Sequence, residues 1–299
     1  MERDRLLPTD DHRHDLRPGQ HEAFYFLFGT SDGGLFGFLR TLFGPETVLE
    51  MTIIRLGRRT WAYQRRSPAP PRTPGDASGA SVKMRCTAPW QSWVCSFQGT
   101  MQEIEGQAAM SAALDLTFTA INEPALYRFG AYNQAQQDGR VVGQVRIGTE
   151  EWNGEMICFR DHSWGERPVG AAVRWTLASV PDRLYAVVVE TKRGPAGFGR
   201  FRPPDGPFRP VILPTVTPLD GAYAIEDPTA GTGRWIVRRI APPLVGYLGP
   251  GGQEAMRTTP QPGDLLRDEL GPALFITPEG EERIGFLEQA EALEWPNGY

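Results

Sequence analysis

Apolar residues along this chain fall in short runs or at every second position, and Gly, Pro and Asp separate the runs. That spacing predicts strands at HEAFYFLFG (21–29), GLFGFLRTLF (34–43), TVLEMTIIRL (47–56) and RTWAYQRR (59–66). Ser31-Asp32-Gly33-Gly34 joins the first two as a hairpin, and Leu56-Gly57-Arg58 joins the next pair. SVKMRC and SWVCSFQG follow. In MSAALDLTFTAIN (110–122), Leu114, Leu116, Phe118 and Ala120 share one face, while Asp115, Thr117 and Thr119 share the other. That is the alternation of a half-buried strand.

The second half repeats the habit at VVGQVRIG (141–148), VGAAVRWTLAS (169–179), RLYAVVVETKR (183–193), RWIVRRI (234–240) and RIGFLEQAEALEW (283–295). Asp138-Gly139 and Pro181-Asp182 read as chain reversals. GDLLRDELG (263–271) is the best helix candidate, and it is short. Two segments break the rhythm. SPAPPRTPGDASGA (67–80) holds too many prolines for a central ladder position and reads as a long exposed loop. PAGFGRFRPPDGPFRP (195–210) reads as an aromatic loop that covers a barrel end or lids a cavity. With 34 glycines and 27 prolines in 299 residues, the pattern predicts an all-β protein of meandering antiparallel sheet, built as barrels.

Composition narrows the function classes. The net charge of −5 is spread through the chain, which argues against a nucleic-acid surface. Cys86, Cys95 and Cys158 are odd in number and lack CxxC spacing, so neither a disulfide scaffold nor a zinc knot is expected, and a reducing cytoplasm fits. MERDRLLPTDDHRHDLRPG at the start is charged throughout and reads as a flexible tail (1–18) without a secretion signal. The most apolar run, GGLFGFLRTLFG (33–44), is too short to span a membrane. His12 and His14, beside Asp10, Asp11 and Asp15, look metal-like in composition, but a charged tail holds no ligand geometry, so no metal is expected.

The chemistry concentrates in CFRDHSWGERP (158–168). Asp161 and His162 form a candidate proton-handling pair, and Trp164 offers an apolar wall. Two readings compete: a catalytic group at a pocket mouth, and a polar knot between pieces of sheet. Neighbours on a strand point to opposite faces, so both side chains enter one pocket only where the backbone turns. Arg160 and Arg167 would pair with Asp161 or with Glu288, the latter preferred as a forked carboxylate partner. Phe24, Phe26, Phe28, Phe36, Phe38, Trp61, Trp93 and Trp164 could wall an apolar cavity. Cys158, among apolar residues, reads as an inert thiol.

The Asp161-His162-Ser163-Trp164-Gly165 core resembles the Asp-His-x-Trp-Gly signature of the carotenoid 1,2-hydratase-like proteins, a superfamily with two lipocalin-like barrels per chain that includes hydroxyneurosporene synthase and barrel-type pericyclases. His21 to Phe26 is similar to the Glu-Ser-Trp-Tyr-Phe stretch that opens the first barrel there, with Ala23 and Phe24 in place of Ser-Trp. Tyr132, Gln134, Gly143 and Val145, then Arg160 to Arg167, and finally Gly285 to Glu288, resemble an uncharacterised bacterial branch with an R-D-H-S-W-G-x-R motif. Met156 to Phe159 depart from the glycine-rich approach usual in that superfamily.

The resemblance implies a first barrel at 19–154, a motif segment between barrels at 155–168 and a second barrel at 169–299. It implies a cofactor-independent hydratase, dehydratase, isomerase or cyclase acting on a hydrophobic isoprenoid- or polyene-like molecule by acid catalysis in a barrel cavity. Asp161 and His162 would be catalytic, supported by Tyr132, Gln134, Arg160, Trp164, Arg167 and Glu288. A non-catalytic carrier of a hydrophobic metabolite is the alternative.

Overall fold

Ten strands build the first unit: β1 (His21–Gly29), β2 (Leu35–Phe43), β3 (Thr47–Leu56), β4 (Arg59–Pro68), β5 (Val82–Ala88), β6 (Ser92–Glu103), β7 (Ala109–Ala120), β8 (Ala125–Phe129), β9 (Tyr132–Ile147) and β10 (Glu150–Gly165). The structure, a computed structural model, describes residues 6–166, 172–191, 194–212, 214–248, 254–256, 261 and 264–293. Hydrogen bonding runs β1-β2-β3-β4-β6-β7-β9-β10, and β10 then pairs with β1. Eight strands therefore close on themselves as an antiparallel barrel, while β5 hangs on β6 and β8 on β9. Closure removes the sheet edges that would otherwise invite pairing with other chains.

The alternation of each strand decides what the barrel encloses. Phe24, Phe26 and Phe28 on β1, Leu35, Leu39 and Phe43 on β2, and Leu114, Leu116 and Phe118 on β7 all join one buried cluster. Trp61, Trp93, Phe97, Met84 and Met101 complete it, each with 2% or less of its surface exposed. The interior is packed with side chains. Five of the aromatics expected to wall a cavity (Phe24, Phe26, Phe28, Trp61 and Trp93) fill the barrel instead.

Several expectations are corrected here. Asp138 and Gly139 lie inside the 16-residue β9, not at a reversal, and the turn comes at Gly148 (φ 59°), between β9 and β10. Residues 155–165 are not a connector between barrels, since they form most of β10 and pair with β1 and β9 along their length. The proline-rich segment is tied down as well. β4 extends to Pro68, Ala77 is fully buried, and Thr41 Oγ1 donates to the Ala77 carbonyl at 3.0 Å. Buried Glu50 on β3 accepts the backbone N–H groups of Ser81 and Val82, each at 2.7 Å. The N-terminal segment forms a 3-10 turn, Pro8–Asp11, and buries Asp11 completely, so it is not a flexible tail.

The chain divides into two compact units, 1–168 and 169–299. The second contains β11 (Ala172–Val180), β12 (Leu184–Thr191), β13 (Gly194–Phe201), β14 (Arg209–Val211), β15 (Thr215–Leu219), β16 (Ala222–Glu226), β17 (Trp235–Arg239), β18 (Leu244–Leu248), β19 (Glu254–Met256), β20 (Leu266–Ile276) and β21 (Glu282–Ala292). Its antiparallel order is β14-β13-β12-β11-β21-β20-β17-β16-β15, with β18 also on β20. The sheet curls around Trp235, Phe201, Phe275 and Leu287. Buried Asp227, just past β16, accepts the backbone N–H of Ile212, just past β14, at 2.9 Å. That bond draws two distant parts of the sheet order together into a half-barrel. Residues 266–276 are strand where a helix was expected at 263–271, because the Leu266/Leu270 spacing serves alternation here. Residues 194–201 are likewise strand β13, not part of an aromatic loop.

Candidate functional site

Strand β10 carries the motif, and its pleat splits the motif in two. Met156 and Cys158 belong to the barrel core, so Arg160, His162 and Trp164 continue that inward row, while Phe159, Asp161 and Ser163 take the outer face. The backbone stays in register across this stretch, with Asp161 opposite Tyr25 on β1 and Gln136 on β9. Asp161 and His162 therefore do not share a pocket, which overturns their expected pairing as acid and helper.

The inward row meets the N-terminal segment. Glu22 on β1 is fully buried, and its Oε1 is shared by two imidazoles, His162 Nε2 at 2.9 Å and His14 Nδ1 at 2.6 Å. Its Oε2 accepts the His14 backbone N–H at 2.9 Å. Ring contacts fix both histidines. His162 stacks on Phe24 at 4.0 Å between centroids, and His14 stacks on Trp164 at 4.7 Å with only 10° between planes. Burial pushes the His162 pKa down, and this outweighs the raising effect of Glu22. Burial alone would raise Glu22, but the bonds from His14 and His162 hold it below the ordinary carboxylate value. The favoured state near neutral pH is a buried carboxylate under a neutral His162. With Nε2 turned to Glu22, the other ring nitrogen of His162, Nδ1, is buried without a hydrogen-bond partner.

One step along β10, Arg160 is 1% exposed and its guanidinium faces Trp93, Trp90 and Phe26 at 4.8, 5.2 and 5.5 Å. Arg160 Nη2 donates to Asp11 Oδ1, and Nη1 reaches Gln137 Oε1 at 3.5 Å. The second oxygen of Asp11 accepts the Trp90 backbone N–H at 2.7 Å and the Trp93 indole N–H at 3.1 Å. The carboxylate expected opposite Arg160 was Glu288, but the one that the structure supplies is Asp11. Glu288 lies on β21 and accepts the Trp175 indole N–H at 2.7 Å. Arg167 falls outside the described residues.

On the outer face, Asp161 Oδ2 accepts Gln134 Nε2 at 2.5 Å and Gln136 Nε2 at 3.2 Å. Gln134 thus stands beside Asp161. Tyr132 is opposite Gly165 and contacts Phe129 at 6.4 Å between ring centroids, four residue pairs along the ladder from Gln136 and Asp161. Trp164 belongs to the histidine side, not to the Asp161 side. Two hollows of about 300 and 270 Å³ on the first unit are lined by Lys83, Ser96, Gln98 and Asp115 or by Thr100, Ser111 and Arg146, none of them motif residues.

Sequence reasoning missed Asp11, His14 and Glu22 as site residues. Glu22 carried a signal, since it occupies the same face of β1 as Phe24, Phe26 and Phe28, where an acid needs partners. Among the described residues, His14, Glu22 and His162 are also the group of nitrogen and oxygen donors able to hold a metal, with their donor atoms within 4.8 Å of one another.

A closed barrel around an aromatic core, joined to a second curled antiparallel sheet, defines an all-β protein with a double lipocalin-like fold. The chain belongs to the family described as "Domain of unknown function (DUF7064)", whose model matches residues 7–211. That stretch takes in Asp11, His14 and the entire barrel wall. Two solved structures share the architecture. The crystal structure of CghA with Sch210972 aligns with a TM-score of 0.55 and 9% identity, over 93% of this chain and 89% of that one. The crystal structure of CghA aligns at 0.53 and 10%, over 94% and 90%. At that identity the likeness speaks for the fold alone. No curated protein matches the chain in sequence.

Proposed function

We propose that the protein is an acid–base enzyme that hydrates, dehydrates, isomerises or cyclises a hydrophobic, isoprenoid- or polyene-like molecule without an organic cofactor, using Asp161. The observation that carries this reading is the buried Asp161 carboxylate on the outer face of β10, oriented by two glutamine amides. A carboxyl group so held can deliver a proton to a double-bond carbon, leaving a cation that water captures. In the reverse sense the carboxyl group protonates the hydroxyl, which leaves as water, and the resulting carboxylate removes a proton from the carbon beside the cation. Gln134, Gln136 and Tyr25 border Asp161 and are placed to orient a substrate or a water. The chemistry belongs outside the packed barrel, and His162 belongs to a separate network. The shared fold with a protein solved with Sch210972 supports a ligand-binding role.

The test begins with native mass spectrometry of protein taken directly from its host, to identify a retained apolar metabolite. Turnover of that metabolite is then followed in water enriched in heavy oxygen. Asp161→Asn should fold and bind the metabolite while losing about 10²- to 10⁴-fold in rate. Unchanged turnover removes Asp161 from the mechanism. Retention of the metabolite with no turnover by the wild type identifies a carrier.

A further inference from the structure

We propose that His14, Glu22 and His162 bind one zinc-type transition-metal ion, which fastens the N-terminal segment to the barrel wall at β1 and β10. Three observations converge on this site. The donor set is two imidazole nitrogens and one carboxylate oxygen, the combination that suits Zn²⁺ and its first-row neighbours and not the all-oxygen shells of Ca²⁺ or Mg²⁺. Both nitrogens already address the same oxygen, Glu22 Oε1, at 2.6 and 2.9 Å. Tetrahedral coordination at metal–ligand distances of about 2.0–2.1 Å sets neighbouring donors about 3.3 Å apart. Each nitrogen therefore needs to part from the shared oxygen by less than about 1 Å to admit an ion, and all three donors lie within 4.8 Å of one another.

The rings are also held ready. The Phe24 stack fixes the plane of His162, and the Trp164 stack fixes that of His14, so neither imidazole has to be ordered on binding. Charge favours a cation as well. Glu22 is a fully buried carboxylate between two imidazoles, and the nearby Arg160 charge is already met by Asp11. Three protein ligands leave a fourth position, and His14 keeps 25% of its side chain exposed, which gives an ion a route in from solvent.

The chemistry is separate from that proposed for Asp161, which lies on the other face of β10. The site is new relative to the sequence reading, which discounted His14 because a loose tail holds no geometry. Here the tail is not loose. His14 is fixed by its own backbone N–H to Glu22 Oε2, and the segment before it by the Asp11–Arg160 pair.

The test uses the full chain, stripped with chelator and titrated with CoCl₂, then with ZnCl₂. Wild type should bind Co²⁺ stoichiometrically, with the visible bands of a four- or five-coordinate ion, and Zn²⁺ should displace it. His14→Ala, chosen because His14 is the most exposed of the three, should weaken binding by at least about 10- to 100-fold with folding checked by circular dichroism. X-ray absorption at the zinc edge of loaded wild type gives a measurement independent of any variant, and should show imidazole scattering from two histidines. Absence of binding by wild type, undiminished binding by folded His14→Ala, or sulfur scattering at about 2.3 Å would each overturn the proposal.

Discussion

Removing Asp11 tests whether the N-terminal segment is part of the fold. Its carboxylate is fully buried and answers four groups at once: the Arg160 guanidinium, the Trp90 backbone N–H, the Trp93 indole N–H and, at 3.7 Å, the Cys86 thiol. In Asp11→Ala the Arg160 charge would remain, 1% exposed, with Gln137 at 3.5 Å as its remaining side-chain acceptor. Breaking a buried ion pair from one side costs about 3–5 kcal/mol, since the surviving charge is stranded. For a unit of this size that is about 6–20 °C in melting temperature, or about 1.5–2.5 M in urea midpoint at a slope near 2 kcal/mol/M. Urea unfolding followed by tryptophan fluorescence is the natural assay, because Trp90 and Trp93 flank the pair. Asp11→Asn keeps an acceptor for the two tryptophan N–H groups and should lose less. The double variant Asp11→Leu/Arg160→Met removes both charges and should be more stable than either single change predicts by addition. A loss below about 0.5 kcal/mol in Asp11→Ala would refute the reasoning, because that is what an exposed surface pair contributes.

Two further outcomes follow from buried groups elsewhere. Glu50→Ala should cost about 2–4 kcal/mol, because the Ser81 and Val82 N–H groups lose their acceptor, and should open residues 67–80 to protease, whereas Glu50→Gln should lose less than half as much; equal denaturation midpoints for wild type and Glu50→Ala would contradict this. Burial foremost, and then Asp11, pushes the Cys86 thiol up to about 12, and burial raises Cys95 and Cys158 as well. At pH 8 roughly one Cys86 in ten thousand is then thiolate, so a thiol reagent should label no cysteine within minutes until urea exposes all three. Labelling within seconds in native buffer would show the thiols are not held as described.

The strands of the first hairpins were legible because one face of each meets an apolar core, so periodicity reports them to within a residue or two. The same rule placed Leu114, Leu116 and Phe118 together and put Asp161 and His162 on opposite faces. It failed at β9, where Asp138-Gly139 mimics a hairpin turn. Gly139 is there for another reason. A Cβ at that position would come within 2.1 Å of the Phe118 ring, so the glycine makes room for a core aromatic across the ladder. The long polar stretch Tyr132–Gln137 gave no strand signal either, because Gln134 and Gln136 serve Asp161, and Gln137 donates to the carbonyls of Trp90 and Asn122.

The deeper misreading concerned charge. A segment rich in Asp, His and Arg reads as solvated when its partners are unknown, and here the partners are far away in sequence. Asp11 and Arg160 are separated by 149 residues, and Glu22 and His162 by 140. No local period can reveal such pairs. What a sequence does show is unmet demand: Glu22 sits on the inward rungs of an otherwise aromatic strand, where a carboxylate must find donors. A histidine on a neighbouring inward rung is a natural donor, and the register supplies it, since Phe24 faces His162 and Glu22 faces Trp164 across the same pair of strands. The crowding of chemistry into Arg160 to Trp164 then has a physical reason. One strand serves two faces: Arg160, His162 and Trp164 hold the N-terminal segment in place, and Asp161, with Ser163 on the same side, faces the proposed reaction.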